Sequence, residues 1–264
     1  VTAFNKKTVR GYLNILLLQK LYPYADRTIA VTKTIQDELE TLGVSSNKIN
    51  VIYNPVDIDT IDTMGAENLS SSEKDIISSE FTFINVGRLD RSKQQINLIK
   101  AFEMINIKNS KLVILGKGPF KSIFTDYIEQ NNLKNKIILL GFVSNPYKYM
   151  KSSNVFVLSS KAEGFPNVLI EAIACDLPIV SYDCETGPRE ILDPNGHYTK
   201  RSTSVEKTKY GYLVKQDSVE NLAQALLTIY ETRKEFHKDE RKKYIDNYTL
   251  DTIYKKYKKT IEEF

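Results

Sequence analysis

The stretch Lys161-Ala-Glu-Gly-Phe-Pro-Asn-Val-Leu-Ile-Glu-Ala-Ile-Ala-Cys-Asp-Leu-Pro-Ile-Val180 places a tight turn and a helix start directly after an apolar strand. The strand, Val155-Phe-Val-Leu158, has the continuous apolar character of a parallel strand covered on both faces. Gly164 permits a positive φ or a close backbone approach, and Pro166 suits a first helical turn. Because the amides at the start of such a helix, those of residues 167–169, point outward, they form a site for anions.

Two carboxylates belong to this turn. Glu163 precedes the helix, and Glu171 lies one turn inside it, four residues after Asn167 and therefore on the same face. A carboxylate accepts strong hydrogen bonds from sugar hydroxyls in a fixed geometry. Two glutamates at this spacing are, by themselves, more often solvated or ion-paired surface side chains. The complete string favours a ligand site.

The string Glu163-Gly-Phe-Pro-Asn-Val-Leu-Ile-Glu171, followed by Ala-Cys-x-Leu-Pro-Ile-Val180, resembles the signature of family 4 of the retaining, nucleotide-sugar-dependent glycosyltransferases of GT-B architecture. The resemblance implies that Glu163 contacts the donor sugar, that the backbone after it meets the sugar and the phosphates, and that Glu171 holds the ribose hydroxyls. The donor-binding residues implied in this stretch are Glu163, Gly164, Phe165, Pro166, Asn167, Val168, Leu169 and Glu171. Asp176 replaces the usual Gly of the family, but Asp tolerates the left-handed conformation needed at a helix end.

A second candidate segment follows the predicted strand Phe81–Val86. Gly87 lets a phosphate approach the backbone, and the guanidinium of Arg88 with the ammonium of Lys93 suits a diphosphate at a strand end, although two solvated basic side chains are common in any loop. The resemblance implies that Arg88 and Lys93 clamp the pyrophosphate. It also makes Arg88, Lys93 and Glu163 the catalytic group, because the two cations would stabilise the departing nucleoside diphosphate.

Two further strand ends carry weaker signals. Gly116-Lys-Gly118 follows the predicted strand 111–115, and Val143 follows the strand 137–140. A pair of glycines alone is weak evidence for a nucleotide. The resemblance implies backbone contacts from Gly116 and Val143 to the base, and Lys117 stands where the family usually has Asp.

The predicted fold class is α/β, a doubly wound Rossmann-like parallel sheet accompanied by a partial second Rossmann-like domain. Residues 1–57 resemble the last elements of an N-terminal acceptor-binding domain, residues 58–80 form a polar linker, and residues 81–247 form the nucleotide-sugar-binding domain. Residues 248–264 form a terminal helix that returns to the N-terminal part. We also predict a core-facing helix over residues 8–22 and a mobile loop over residues 193–209.

The net charge, the cysteine content and the apolar runs indicate which classes of partner and which location suit the chain. The 264 residues carry a formal net charge of +4 from 37 basic and 33 acidic side chains, so no nucleic-acid partner is required, while a polyphosphate or a membrane surface would fit. Two cysteines without metal-ligand spacing favour a reduced cytoplasmic location. No membrane span or signal peptide is evident, so we expect a chain that is at most peripheral at the inner face of the cell membrane. We expect no metal, because Asp57-x-Asp59 lies in the predicted linker. We also expect no cofactor, since the nucleotide sugar implied by the resemblance is a substrate.

The resemblance implies transfer of a hexose or N-acetylhexosamine, with retention, from a nucleotide diphosphate that we expect to be UDP. The acceptor would be a glycan or a lipid-linked glycan, because the chain is most similar to enzymes of bacterial lipopolysaccharide and lipid-linked glycan synthesis. No covalent nucleophile is evident, and the leaving phosphate is expected to assist the incoming hydroxyl. A non-catalytic nucleotide-sugar-binding half-domain and a GT-B-like sugar-nucleotide epimerase are the alternatives. Since most of an acceptor domain is missing from these residues, we expect them to bind nucleotide without transferring sugar alone.

Overall fold

The computed structural model describes residues 9–77, 79–232 and 243–263. The N-terminal part contains α1 (Val9–Leu21), β1 (Thr28–Ala30), α2 (Lys33–Thr41) and β2 (Ile49–Val51), with β1 and β2 paired in parallel. It is followed by α3 (Ile58–Gly65) and α4 (Ser71–Ile77). Residues 1–8, 78, 233–242 and 264 of the predicted domains lie outside the described residues, and the domain boundaries stay a prediction.

The larger part contains a seven-stranded sheet and its covering helices. Its strands are β3 (Phe81–Val86), β4 (Ser110–Leu115), β5 (Ile137–Gly141), β6 (Val155–Leu158), β7 (Ile179–Tyr182), β8 (Val205–Thr208) and β9 (Gly211–Val214). Its helices are α5 (Gln95–Ile105), α6 (Lys121–Gln130), α7 (Tyr147–Lys151), α8 (Asn167–Ala174), α9 (Pro188–Leu192), α10 (Val219–Glu231) and α11 (Leu250–Glu262).

The strand order is β5-β4-β3-β6-β7-β9-β8, and all strands are parallel except β8, which pairs antiparallel with β9. The chain winds outward from β3 to β5 and then returns to place β6 on the other side of β3. The carboxyl ends of β3 and β6 therefore lie side by side where the winding reverses, which is the position of the ligand crevice in open α/β sheets. The predicted doubly wound fold class is confirmed.

Both faces of this sheet are buried, as its continuous apolar strands require. Phe83 and Leu112 point into one core together with α5, α6 and α10, while Ile84, Val113 and Phe156 point into the other core together with α8. Each fully buried side chain of this size contributes roughly 1.5 to 3 kcal/mol of transfer free energy. The sheet is thus a rigid platform on which the loops at its carboxyl edge can be positioned.

The prediction that α1 faces a core with its whole apolar stripe is wrong for three of its leucines. Leu13, Leu17 and Leu21 are more than half exposed, while Leu18 packs against the small cluster around β1 and β2. A two-stranded sheet is too narrow to cover more of the helix. The stripe has helical spacing, but spacing alone does not supply a surface to pack against.

The segment predicted as a linker contains two helices. Asp57 caps the first of them, α3, because its carboxylate accepts hydrogen bonds from the Thr60 amide at 3.0 Å and from the Thr60 hydroxyl at 2.7 Å. Ile61 is buried on the same helix. The Asp57-x-Asp59 spacing thus belongs to a helix N-terminus, where Asp is among the preferred capping residues.

The predicted mobile loop over residues 193–209 contains a strand, β8, so the prediction is wrong for that portion. Arg189, which is 2% exposed, pairs with Asp183 at 2.6 Å and with Glu206 of β8 at 2.8 Å. The hydrogen bond from Arg189 lowers the pKa of Glu206 to about 2. This buried guanidinium needs both carboxylates, and their pairing holds β8 at the end of the sheet.

The carboxylate of Glu190 on α9 is one of the groups that join the N-terminal part to the larger part. Glu190 is buried and accepts hydrogen bonds from the amide of Lys33 at 2.8 Å, from the amide of Thr34 at 3.2 Å and from the hydroxyl of Tyr53 at 3.2 Å. The two amides belong to the first turn of α2, where a negative charge is favourable. The orientation of α2 on the larger part therefore depends on this side chain.

We predict that Glu190→Ala lowers the free energy of unfolding by about 2 to 3 kcal/mol, because two amides and the hydroxyls of Thr34 and Tyr53 lose a charged acceptor. Chemical denaturation followed by circular dichroism measures this change. The matched control is Glu185→Ala, an exposed glutamate only five residues away, which we expect to change stability by less than about 0.5 kcal/mol. Equal effects in the two variants would show that the contacts of Glu190 add nothing to stability.

Candidate ligand site at the carboxyl edge of the sheet

The residues predicted from four separate segments meet at one edge of the sheet. They follow β3, β4, β5 and β6, and since parallel strands end at the same edge, the four loops are neighbours. They are Gly87, Arg88 and Lys93 after β3, Gly116 after β4, Val143 after β5, and Glu163 to Leu169 with Glu171 after β6. The roles assigned to these residues stay predictions, while their common location is a property of the fold.

The loop after β3 is shaped by Asp90. Its carboxylate accepts hydrogen bonds from the amides of Ser92 at 2.9 Å and Lys93 at 3.2 Å, and it pairs with the guanidinium of Arg88 at 3.3 Å. The side chain of Arg88 is 71% exposed, so this pair is a weak surface contact that a stronger anion can replace. Arg88 is therefore available to a ligand at the strand end.

Lys93 and Glu163 form the closest charged contact of the site. The Lys93 Nζ atom lies 2.6 Å from Glu163 Oε1, and the side chain of Glu163 is only 10% exposed. The backbone carbonyl of Lys93 also accepts a hydrogen bond from the hydroxyl of Ser159 at 2.8 Å. The two predicted catalytic residues thus come from loops 70 positions apart and are held together by an ion pair and by the backbone beneath it.

The turn that carries Glu163 is fixed from a third loop, the one after β7. The Thr186 hydroxyl donates a short hydrogen bond to the backbone carbonyl of Glu163. Gly187 has φ 94°, and a Cβ atom at this position would lie 2.3 Å from Cδ of Pro166. A residue with a side chain at position 187 would therefore displace the turn, and only glycine permits this packing.

The paired glycines after β4 have a packing role. A Cβ atom on Gly116, which has φ 141°, would lie 1.9 Å from the carbonyl oxygen of Gly87, and a Cβ atom on Gly118 would lie 2.2 Å from that of Leu89. The loop after β3 thus rests directly on the backbone of the loop after β4. The backbone of Gly87 and Arg88 is positioned by this contact before any ligand is considered.

An apolar cleft of about 460 Å³ opens beside these loops. Its lining residues, which belong to the ends of β3, β4 and β5 and to the loops after them, are Val86, Gly87, Arg88, Leu115, Gly116, Lys117, Phe142, Val143, Ser144 and Pro146. At its rim the ammonium of Lys117 lies 5.2 Å from the centroid of the exposed Phe142 ring. Apolar walls with cations at one end suit a ligand that combines a flat ring with a negative charge.

Glu171 stands on α8 without an ionic partner among the described side chains. Burial raises the pKa of Glu171, and burial together with the nearby Glu171 charge raises the pKa of Tyr147 to about 12. A desolvated carboxylate whose oxygens have no cation gains more from ligand hydroxyls than a solvated one does. Glu171 is thus chemically suited to hold a diol.

The start of α8 is held by the N-terminal part. The Asn54 amide donates a hydrogen bond to Asn167 Oδ1 at 3.0 Å, and the Phe165 ring stacks on Tyr53 with centroids 5.4 Å apart. The expected positive φ at Gly164 is absent, and no atom lies within 4 Å of the position that its Cβ atom would take. Neither the backbone nor the packing of the protein requires glycine there, and the space remains open. At the other end of α8, Asp176 has φ 61° and closes the helix as predicted.

Three further observations concern metal ligands, membrane-spanning helices and the two cysteines. Within the described part of the chain, no three His, Cys, Asp or Glu side chains cluster as metal ligands would. None of the helices in that part is long and apolar enough to cross a membrane. Cys175 and Cys184 are free and buried, and burial raises the pKa of both thiols.

Sequence reasoning assigned no role to several residues that shape the site. Gly187-Pro188 was a turn signal where the loop after β7 meets α9, and a role in supporting the turn after β6 could have been proposed from it. The contacts of Tyr53, Asn54 and Glu190 had no such signal. Each depends on a partner more than 100 residues away, which no local pattern indicates.

Two family descriptions match the chain. Glycosyl transferases group 1 matches residues 68–249, more than half of the chain, and Glycosyltransferase Family 4 matches residues 3–60. The junction between the two matches falls in the segment of α3 and α4.

Similar proteins are longer than this chain. An uncharacterized glycosyltransferase of Methanocaldococcus jannaschii is 38% identical over 227 residues, which are 84% of this chain and 55% of that protein. A protein of Campylobacter jejuni described as N-acetylgalactosamine-N,N'-diacetylbacillosaminyl-diphospho-undecaprenol 4-alpha-N-acetylgalactosaminyltransferase is 33% identical over 232 residues, 88% of this chain and 58% of that protein. The chain thus spans about half the length of the curated relatives it matches.

Among solved structures, that of Anabaena HepE in complex with UDP has a TM-score of 0.76 with this chain at 20% identity. The match covers 100% of this chain and 69% of the other. At this identity the likeness concerns the fold, and it agrees with the doubly wound sheet described above.

We predict that Arg88→Ala weakens UDP binding about tenfold and that Lys93→Ala weakens it more. Arg88 would lose one charge-assisted contact, whereas loss of Lys93 would also leave the largely buried carboxylate of Glu163 facing the phosphates. Isothermal titration calorimetry measures both affinities, and thermal melts check that the variants fold.

The matched control is Arg91→Ala, which removes an exposed cation of the same loop. We expect UDP affinity to stay within about twofold of the parent, because Arg91 has no predicted contact with the ligand. Unchanged UDP affinity in both Arg88→Ala and Lys93→Ala would remove the phosphate clamp.

Proposed function

Since this chain belongs to the family Glycosyl transferases group 1, we propose that it supplies the donor-binding half of a retaining glycosyltransferase that uses a UDP-sugar. The observation that carries this proposal is the convergence of Arg88, Lys93 and Glu163 beside one apolar cleft where the winding of the sheet reverses. The base would lie in the cleft, the diphosphate at the two cations, and the sugar at the turn after β6.

The geometry supports this order along the edge. Val143 and Gly116 line the cleft, so their backbone groups can contact a base held between the apolar walls. Glu171 offers an unpaired carboxylate to the ribose hydroxyls. The open space at Gly164 leaves room for the sugar beside Glu163. Of the three amides expected to face an anion, that of Leu169 donates instead to the carbonyl of Pro166 at 2.9 Å, so the amides of Asn167 and Val168 and the dipole of α8 would favour the phosphates.

The charges of the site suit a reaction in which the bond between the anomeric carbon and the leaving phosphate breaks. Negative charge then develops on the nucleoside diphosphate, and Arg88 and Lys93 would stabilise it without moving far. Glu163 pairs with Lys93 at 2.6 Å, so a diphosphate has to compete with Glu163 for the same ammonium. As the ammonium turns toward the phosphate, the Glu163 carboxylate would become free to accept sugar hydroxyls. Phosphate binding and sugar binding would thus be coupled.

The acceptor is proposed from the relatives. The Campylobacter jejuni relative is named for transfer to a diphospho-undecaprenol-linked sugar, and other relatives are named as lipopolysaccharide galactosyltransferases of Escherichia coli and Salmonella typhimurium. We propose a glycan or lipid-linked glycan acceptor for this chain, reached at the inner face of a membrane. The donor sugar is a hexose or an N-acetylhexosamine.

We predict that alanine substitutions at Glu171 and at Glu163 affect the binding of UDP and of a UDP-hexose differently. Glu171→Ala should weaken UDP and a UDP-hexose alike by about tenfold, because the ribose is common to both. Glu163→Ala should bind UDP as tightly as the unchanged chain or more tightly, since Lys93 is freed for the phosphates. It should reduce the difference in affinity between UDP-hexose and UDP, because the sugar loses its contact with Glu163. Calorimetric titrations with both ligands measure this, and equal losses for both ligands in both variants would contradict the assignment.

The activity itself is tested by a transfer assay with a radiolabelled UDP-hexose and a diphospho-polyprenol-linked glycan. We predict nucleotide binding but no transfer by these 264 residues. Transfer should appear when an N-terminal extension supplies the part of the relatives' length that this chain does not cover, because a closed cleft excludes water and strengthens the charge interactions.

The control for this assay is the extended chain with Lys93→Ala, in which transfer should fall by at least about a hundredfold. Full transfer by the extended Lys93→Ala chain would refute the proposed catalytic group. Robust transfer by the 264 residues alone would show that residues 1–57 contain more of the acceptor site than predicted.

A further inference from the structure

A separate cavity of about 210 Å³ lies where the N-terminal part, the segment after α9 and the C-terminal segment meet. It shares no lining residue with the apolar cleft. We infer that this cavity binds one pyranose ring, a sugar unit of the glycan acceptor, and the inference rests on the function proposed above. The residues that support it are Tyr53, Tyr198, Tyr244, Tyr248, Lys33 and Lys256.

The size of the cavity limits the ligand. Pockets for drug-sized ligands occupy roughly 300 to 1,000 Å³, and this cavity is smaller, with the space of about seven liquid waters. This size favours a single ring with its hydroxyl groups over a nucleoside diphosphate.

The tyrosine rings are held rigid by their hydroxyl groups. Tyr244 and Tyr248 share a hydrogen bond of 2.7 Å between their hydroxyls, and Tyr198 donates to the carboxylate of Asp37 at 3.0 Å. Burial raises the pKa of Tyr248 to about 12, as expected for a hydroxyl that water hardly reaches. Tyr53 stacks on Phe165 and Tyr244 stacks on Tyr210, so each of these two rings has its opposite face left for the apolar C–H face of a pyranose, while the buried Tyr248 fixes Tyr244. A ring that is already fixed packs against a sugar at little cost in conformational entropy.

The polar groups of the cavity favour a neutral polyol. Lys33 lies 5.6 Å above the Tyr198 ring, and neither its ammonium nor that of Lys256 forms an ion pair with a described residue. Asp193 adds a carboxylate that is only loosely paired with Arg189, at 3.7 Å. Donors and an acceptor that line the same cavity match hydroxyls, which both donate and accept. The carboxylates of Asp193 and Glu190 disfavour a phosphate, and the two ammonium groups disfavour a purely apolar ligand.

The cavity is connected to the turn after β6 by aromatic contacts. Tyr53 lies between the two sites, because its ring stacks on Phe165 at 5.4 Å and also contacts Tyr248 at 5.7 Å. Phe165 belongs to the turn predicted to meet the donor sugar. A sugar in the cavity would therefore lie behind this aromatic wall, where it would anchor the acceptor glycan next to the site of transfer.

The test is saturation-transfer NMR with galactose, glucose, N-acetylgalactosamine and N-acetylglucosamine, each at millimolar concentration and with saturating UDP. We expect saturation of at least one sugar. Asn247→Trp, which fills the cavity from an exposed position, should abolish the signal. Lys256→Ala should lower it at least threefold, while its matched control Lys259→Ala, an exposed lysine of α11 outside the cavity, should not.

The remaining outcomes separate this inference from the proposed function. A signal that is lost in Glu163→Ala and kept in Asn247→Trp would place the sugar at the donor turn and overturn the inference. Absence of saturation for all four sugars in a chain that binds UDP would also overturn it, and the proposed function would stand. Failure of the unchanged chain to bind UDP would instead refute the proposed function.

Discussion

The pairing of β3 with β6 is the constraint on which the site depends. The paired residues of these strands, such as Phe83 and Val155, are 72 positions apart in the chain, and their parallel register brings the end of one strand beside the end of the other. The pairing is enforced by burial, since Phe83, Ile84 and Phe156 have no exposed surface. A shift by one residue would move each of these side chains to the opposite core. The positions of Lys93 and Glu163 therefore follow from the packing of apolar side chains beneath them.

The loops at this edge are supported by each other through close backbone contacts. Gly116 allows the loop after β4 to touch the loop after β3, and Gly187 allows the loop after β7 to touch the turn at Pro166. Since glycine is required at both contacts, the protein has little freedom to move one loop without its neighbour. This explains how a site made of four separate loops can hold an ion pair at 2.6 Å.

The N-terminal part is coupled to the same edge through polar and aromatic contacts. Glu190 holds the start of α2, Asn54 holds Asn167, and Tyr53 stacks on Phe165. A motion of the N-terminal part would act directly on the turn that carries Glu163. The tyrosine-lined cavity adjoins these contacts, because Tyr53 and Glu190 line it.

The amino-acid sequence by itself determined most strands and helices, the doubly wound class and a motif that resembles the family signature. These depend on local patterns, such as the apolar run Val155–Leu158, the helix start at Asn167 and the left-handed Asp176 at its end. Only the tertiary structure decided that Lys93 pairs with Glu163, that Asp57 caps a helix, that β8 joins the sheet and that the leucines of α1 are exposed. Periodicity predicts which face of a helix or strand is apolar, but it does not predict which residues pack against that face. Contacts between residues far apart in the chain depend on how the buried sheet brings distant loops together.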